Sequence, residues 1–419
     1  MLQFNRDEMS ISELETRWRS YKQTPHLQNP LGKRYALCFN DSSELVPLVL
    51  YLKEIGGSVL LMHGSTPFHT AKSTADAAGC HGLLFHEYGQ YFPNLELQAS
   101  VEKEPKVYQF SSGTTGNAKL IGRSWAAIDK EISSYNEAVS LEAGCTPIVI
   151  APVSHSYGLI CGVLASLARG SKPVIVSNAN PKLAIGLIRD FPNHIVYGVP
   201  VQLQALASLN QSQAKLHKLM SSGVPMSVQL FEQLSHTGVT LMQQYGCSEA
   251  GCISVSTSMQ SHHDLGLPLS KWNVFADSSR IGELMPAELV ASSADQIVRT
   301  GDLGIVNKDG SLAFVSRIDD VINVAGLKVY PLEVEEVISS MPGIKEIVIY
   351  RGSHPISGDK VRGMAIADEG LLPEAVREWC LQRLPAYKVP LEISFVNEIP
   401  KSATGKISRR QLELGEVVQ

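Results

Sequence analysis

Short apolar runs and helical patterns take turns along the first two thirds of this 419-residue chain. Ser58–Met62, Leu83–Phe85, residues 147–151, residues 173–177, Ile195–Gly198 and Val239–Met242 are continuous rather than alternating apolar runs. Runs this short fit buried strands or buried helix segments by periodicity alone, and read as strands that alternate with helices they suggest α/β layers. The intervening segments Val46–Leu52, Thr70–Ala78 and Gly158–Leu167 carry helical patterns. Residues 10–21 predict a surface helix, with Ser10 as its cap and Glu13 three residues on. The spacing therefore predicts an α/β fold with layered, mostly parallel sheets. After about residue 265 the texture becomes β-rich, with strands expected in Gly282–Glu288, Asp295–Asp302 and Val306–Val315 and a turn at Asp309-Gly310. Beyond Arg317 comes a compact charged α+β module, with helix Leu332–Ser340, strand Lys345–Tyr350 and helix Pro373–Leu384. We expect a large N-terminal domain with a β-rich subdomain over 1–317 and a small C-terminal domain over 318–419.

Composition removes several function classes. Thirty-six Lys and Arg against 41 Asp and Glu give a net charge of −5, which argues against a general nucleic-acid binder, since that needs a basic face. No apolar run approaches the roughly 18 residues of a membrane span, and the polar, acidic start MLQFNRDEMS lacks the pattern of a signal peptide. Seven cysteines, odd in number and without a CxxC, fit reduced thiols and a cytoplasmic location better than a disulfide framework.

Chemistry concentrates in five segments. Phe110-Ser-Ser-Gly-Thr-Thr-Gly-Asn-Ala-Lys119 sets hydroxyls beside glycines and ends on a lysine. Glycine lets the backbone turn its N–H groups toward an anion, hydroxyls add donors and lysine adds charge, which together suit a polyphosphate. A polar surface turn is the other reading. Tyr245-Gly-Cys-Ser-Glu249 groups an aromatic face, a hydroxyl and a carboxylate that can hold Mg²⁺, or is a polar strand end. Asp302, in Arg299-Thr-Gly-Asp-Leu303, can accept from a vicinal diol or serve as a turn aspartate. Arg317-Ile-Asp-Asp320 and Lys401-Ser-Ala-Thr-Gly-Lys406 are an ion-pair cluster and a basic tail, unless the other segments give them a shared purpose.

In this order, SSGTTGNAK, YGCSE, RTGDLG, SRIDDVINVAGLKVYPLEVEEV and PKSATGKISRRQL resemble the motifs of the adenylate-forming superfamily of acyl- and aryl-CoA ligases, adenylation domains and luciferase. The resemblance spans residues 110–413. It implies a mobile C-terminal domain and a two-step reaction: a carboxylate attacks the α-phosphate of MgATP and expels pyrophosphate, then a thiol displaces AMP. It further implies that Ser112, Gly113, Thr114, Thr115, Gly116 and Lys119 hold the β- and γ-phosphates. Tyr245 would stack on adenine, beside Gly246, Ser222 and Gly223. Ser248 stands where the family usually has threonine, Glu249 would take the Mg²⁺, and Asp302 and Arg317 would hold the ribose. Asp319 would be the hinge and Gly326 would face the thiol tunnel. Lys406 would be the catalytic lysine of the first step. Ala118 replaces a common proline, Ser316 a usual glycine, and the stretches before the phosphate loop and between Glu249 and Asp302 are short. Those departures bear on the outer sheet and on any long substrate tunnel.

By the same resemblance His155, in Pro152-Val-Ser-His-Ser-Tyr-Gly158, occupies the place of the residue that closes over the carboxylate, and no aspartate stands ready for a substrate ammonium. The acid pocket is expected to draw on Tyr197, Gly198, Val199, Pro200, Gln243 and Gln244. Two amides there favour an aromatic or polar-substituted acid over a plain fatty chain. KISRRQL stands close to the last residue of the sequence, and no fused carrier domain is expected, so the thiol is expected in trans, as CoA or as the phosphopantetheine of an acyl carrier protein. A non-catalytic nucleotide-binding protein of the same fold and an ADP-forming phosphotransferase are the alternatives. The oligomeric state has no sign in the sequence.

Overall fold

A computed structural model describes residues 1–95, 102–111, 119–177, 180–210, 214–277, 286–354, 358–401 and 407–415. They fall into two compact units, one of residues 1–223, 234–259 and 266–272, the other of residues 224–233, 260–265 and 273–419.

The first unit holds two sheets. In one, strands Gly82–Phe85, Arg34–Phe39, Ser58–His63 and Lys106–Ser111 run parallel, with antiparallel Tyr91–Pro93 and Lys119–Ser124 at the edges. The other is built on five parallel strands in the order Val174–Ile175, Thr146–Val149, His194–Gly198, Lys218–Ser221 and Thr240–Cys247. The apolar runs lie where expected, and Ile148, Val149, Ile195, Val196 and Leu219 are fully buried. The helix over residues 10–21 is observed as Ile11–Gln23. Its capping box is complete, since the Glu13 N–H donates to Ser10 Oγ and the Ser10 N–H to Glu13 Oε2.

Two features differ from the expectation. The N-terminal segment, which looks merely polar in sequence, contributes strand Leu2–Phe4 alongside Val174–Ile175 and a return strand Asp7–Met9. Leu2, Phe4 and Met9 are buried, and Asn5 takes a left-handed turn between them. The segment Gly158–Leu167 is helical, but its first part, Tyr157–Leu164, winds as a wider π-helix before a short α-helix, Ala165–Ala168. Its glycines permit close approach: a Cβ on Gly158 would lie 2.4 Å from the Pro152 carbonyl oxygen.

The second unit contains the β-rich section and the C-terminal module. Strands Asn273–Asp277, Ala287–Ser292, Ile297–Val306 and Leu312–Arg317 form an antiparallel meander. Most of the expected strand Gly282–Glu288 lies outside the described residues. At the Asp309-Gly310 turn, Asp309 Oδ1 accepts from the Ser311 N–H at 3.0 Å, and Gly310 has φ of 85°. The expected hinge, Asp319, lies in the short 3-10 segment Ile318–Asp320. The module pairs Ile344–His354 with Gly358–Ala367, and helices Pro331–Ser339 and Pro373–Leu381 cover the buried Ile322, Val334, Ile338, Ile349 and Val376. All seven cysteines are free thiols, and no helix among the described residues is long and apolar enough to cross a membrane.

Arg409, from the KISRRQL segment, is the electrostatic pin of this module. Its guanidinium donates to both carboxylate oxygens of Glu335, at 2.9 and 3.1 Å, to Asp320 Oδ2 at 2.7 Å and to the Ile349 carbonyl at 2.9 Å. Glu335 Oε1 in turn accepts the Ile349 N–H. Burial disfavours the charge, but the Glu335 and Asp320 carboxylates outweigh it and raise the Arg409 pKa. Removing one partner of such a pair strands the other. Arg409→Met is expected to cost about 3–5 kcal/mol, measured as lost hydrogen-exchange protection of the strand Ile344–His354 amides. A loss below about 1 kcal/mol, the worth of an exposed pair, would contradict this.

Candidate active site

Parallel register builds the centre of the first unit's site. Gly198 pairs with Ser221, and Ser221 with Gln243, so the three form one row at the carboxyl ends of adjacent strands. That edge is where open α/β sheets bind ligands. Gly198 is tightly enclosed, since a Cβ there would lie 2.8 Å from Ile150. Tyr197, Pro200, Ser222, Gln243 and Gln244 are buried, Val199 is partly exposed, and Gly223 is exposed with φ of 96°. The Gln202 side chain fixes the loop after the strand, accepting from the Val199 N–H and donating to the Ile150 carbonyl.

Among the described residues, Ser221 Oγ, Gln243 Oε1 and Gln244 Oε1 are buried without a hydrogen-bond partner. A buried orphan costs ~1–3 kcal/mol, so each of these atoms is left with a hydrogen-bonding capacity that the described protein groups do not meet. Successive side chains of a strand face opposite ways, so Gln243 and Gln244 do not serve one face. Gln243 shares its ladder row with Ser221. Gln244 lies beside Cys161 of the π-helix.

Strand Thr240–Cys247 then turns back into Gly251–Ser256, with a register shift at Tyr245/Gly246. Only glycine fits at 246, because a Cβ would lie 2.0 Å from the Gly251 carbonyl oxygen. Gly251 has φ of 74°, and its absent Cβ leaves room for Arg123 and Glu131. Those two form a buried ion pair, and Glu131 Oε1 accepts the Cys252 N–H at 2.8 Å. Tyr245 is thereby held buried, while Gly246 is exposed and Ser248 and Glu249 are partly exposed. Ser248 shares a cavity with Gln109, Arg123 and Ser156. Lys271 lies near the same pair. Burial, then the charge of Arg123, pushes it down to about 8.

His155 is exposed at the start of the π-helix. Lys119 is exposed at the head of its strand and paired in register with Ser111. Ser112, Gly113, Thr114, Thr115, Gly116 and Lys406 lie outside the described residues.

The second unit brings Asp302 and Arg317 together as a cross-strand pair. Asp302 is buried, and its Oδ1 accepts from Arg317 Nη1 at 2.7 Å. The same Nη1 donates to the Thr300 carbonyl at 3.1 Å. Asp319 gives its carbonyl to Arg351 at 2.8 Å. Gly326 has φ of 89° in the turn joining Ile322–Val324 to Leu327–Val329, and its N–H donates to Asn323 Oδ1.

Arg123, Glu131, Ser221 and Gln109 were not singled out from the sequence. One signal was available: Glu131 falls on the buried stripe of helix Trp125–Ala138, beside Ile128, Ile132 and Tyr135. A carboxylate there requires a buried partner.

Comparison with known proteins agrees with this layout. The AMP-binding enzyme family matches residues 54–285, and the AMP-binding enzyme C-terminal domain matches residues 333–406. A 3,4-dihydroxybenzoate–[aryl-carrier protein] ligase from Bacillus anthracis is 47% identical over 417 residues, covering 100% of both chains. The fold matches o-succinylbenzoate CoA synthetase from Bacillus subtilis in complex with its acyl-adenylate intermediate, with TM-score 0.85 and 18% identity over 98% of this chain and 94% of that one. It also matches ATP-bound MatB from Rhodopseudomonas palustris, with TM-score 0.85 and 17% identity over 99% and 95% of the two chains. The chain belongs to the AMP-binding enzyme family, and its activity is the ATP-dependent activation of a carboxylic acid to an acyl-adenylate.

Proposed function

We propose that the acid is a hydroxylated benzoate of the 3,4-dihydroxybenzoate class and that the acceptor is the phosphopantetheine thiol of a separate aryl carrier protein. The observation that carries this reading is the likeness, over the full length of both chains, to a ligase of that description. The orphaned polar groups of the Gly198–Ser221–Gln243 row support it, because ring hydroxyls can pair with Ser221 Oγ and Gln243 Oε1 where an alkyl chain cannot.

In the first step a carboxylate oxygen of the acid attacks the α-phosphorus of ATP and pyrophosphate leaves. Charge accumulates on the phosphate, so fixed donors and cations are the main device. We assign Ser112, Thr114, Thr115 and Lys119 to the β- and γ-phosphates, Ser248 to the α-phosphate and Lys406 to the developing charge. Glu249, a partly exposed carboxylate at the turn, offers the hard oxygen ligand that Mg²⁺ prefers. Tyr245, Gly246, Ser222 and Gly223 are assigned to the adenine side and Asp302 with Arg317 to the ribose. His155 is assigned to the carboxylate, with Gly198, Val199, Pro200 and Gln243 around the ring and Tyr197 and Gln244, on the opposite strand face, backing that pocket. In the second step the thiolate sulfur attacks the acyl carbon and AMP leaves. We assign Asp319 to the hinge between the two steps and Gly326 to the thiol path.

Acid-dependent ATP–pyrophosphate exchange without any thiol tests the acid. Dihydroxybenzoates are expected to support it, and fatty acids and amino acids to give only background. Exchange with fatty acids alone would overturn the assignment. Mass spectrometry of the completed reaction is expected to show an aryl thioester on a carrier protein in preference to CoA.

Lys406→Ala is expected to slow exchange by about 10²–10³-fold, the scale of removing one transition-state donor. Thioester formation from preformed aryl-adenylate should continue at close to the wild-type rate. An equal loss in both half-reactions would mean that Lys406 serves folding rather than the first step.

Gln243→Leu removes an unpaired carbonyl, so thermal stability is expected to hold or rise. The KM for a dihydroxybenzoate is expected to rise about tenfold or more, in line with ~1–3 kcal/mol for a lost buried partner, while the KM for ATP stays put. An unchanged acid KM would remove Gln243 from the pocket.

A further inference from the structure

One cluster in the second unit has no part in the chemistry above. His262 and His263 sit in a turn and both face Glu336, on helix Pro331–Ser339. His262 Nε2 lies 2.9 Å and His263 Nε2 3.0 Å from the same oxygen, Glu336 Oε1. The three donor atoms all fall within 4.8 Å of one another. The imidazole centroids are 3.9 Å apart, with the planes tilted by 39°.

Adjacent residues of an extended chain point to opposite sides, so presenting two imidazoles to one point takes a bent backbone. The bend is built in: the Asp264 N–H donates to the Ser261 carbonyl at 3.2 Å, the Gln260 N–H to Asp264 Oδ2 at 3.1 Å, and the Phe314 N–H to the His263 carbonyl at 2.9 Å. The opposing helix is anchored by Gln229 Nε2, which donates to the Ser339 carbonyl at 2.9 Å. A metal ion here would take the place of the proton between each Nε2 and Glu336 Oε1, with the imidazoles neutral and the carboxylate ionised, as ligands must be.

We propose that His262, His263 and Glu336 form a binding site for a divalent transition-metal ion of the zinc type. Two imidazoles and one carboxylate are a donor set that zinc accepts, with a fourth position left to water. Donors in a tetrahedral zinc shell stand about 3.3–3.4 Å apart, as Zn–N and Zn–O lengths near 2.0–2.1 Å require. The present 2.9 and 3.0 Å separations need only a few tenths of an ångström of opening. Side-chain exposures of 16%, 32% and 33% leave an ion a path in from solvent. A bound ion ties the turn to helix Pro331–Ser339, which are separated in sequence by position 319. On the hinge reading proposed above, it would oppose movement about that position. The site itself does not depend on that reading.

Titration of the full-length protein with Zn²⁺ by calorimetry, and with Co²⁺ by visible absorption, tests the site without any turnover. The expected result is one ion per chain at micromolar or tighter affinity, with His262→Ala, His263→Ala and Glu336→Gln each weakening it at least tenfold. Anomalous diffraction from a zinc-soaked wild-type crystal guards against variants that fold poorly. It should place the ion about 2.0–2.2 Å from both Nε2 atoms and a Glu336 oxygen. No binding, binding untouched by all three changes, or an ion found instead at a cysteine would each overturn the proposal.

Discussion

The buried pair of Arg123 and Glu131 is the contact on which the first unit's site depends. A carboxylate and a guanidinium out of water are costly, and hydrogen bonds to their remaining positions offset part of that cost, although Arg123 Nη1 has no partner among the described residues. Here Glu131 spends its second oxygen on the Cys252 N–H. That bond clamps the strand just after the Tyr245–Glu249 turn, and Gly251 keeps clear the space that Arg123 and Glu131 occupy. The strand that follows the turn is thus held in place by this pair, and Arg123 lines a cavity with Ser248 of the turn.

The second unit repeats the device with different parts. Arg409 gathers Glu335, Asp320 and the Ile349 carbonyl, so a helix, a 3-10 turn and a strand share one cation. Asp320 belongs to the turn that follows Arg317, and Arg317 is itself paired across the ladder with Asp302. The segment resembling the family's last motif therefore has two parts of different kinds. Lys406 carries charge toward chemistry in the proposed reading, and Arg409, three residues on, holds the module together.

Much of this was legible beforehand. Alternating with helical patterns, the continuous apolar runs read as buried strands, and four of the five parallel strands of the central sheet fall on them, while the fifth, Lys218–Ser221, has no counterpart among the expected runs. Ser10 and Glu13 announced a capping box, and Asp309-Gly310 a hairpin turn, because both are local chemistry with few competing solutions. Strand Leu2–Phe4 was not legible, since its stability comes from pairing with Val174–Ile175, about 170 positions away in the chain. The π-helix was hidden for a related reason: its pattern is helical, and its width answers to packing of Gly158 and Gly162 against neighbours. Tyr245, Asp302 and Arg317 could be named from their motifs. Arg123 could not, and Glu131 only by asking why a carboxylate sits on an apolar stripe.

Selectivity in the proposed pocket follows from what the row of Gly198, Ser221 and Gln243 leaves unpaired. An apolar pocket separates acids differing by one methylene by only about 10–200-fold. A site whose buried polar groups are completed by the substrate rejects an analogue lacking those hydroxyls far more strongly, by about 10⁴–10⁵ at the limit. Gln243 Oε1 and Ser221 Oγ carry the unfavourable desolvation in the free protein, so a fatty chain would leave that cost standing while a hydroxylated ring relieves it. The same groups that make the empty pocket less stable are therefore the ones able to tell the two kinds of acid apart. A purely apolar replacement would strengthen the fold at the expense of that discrimination.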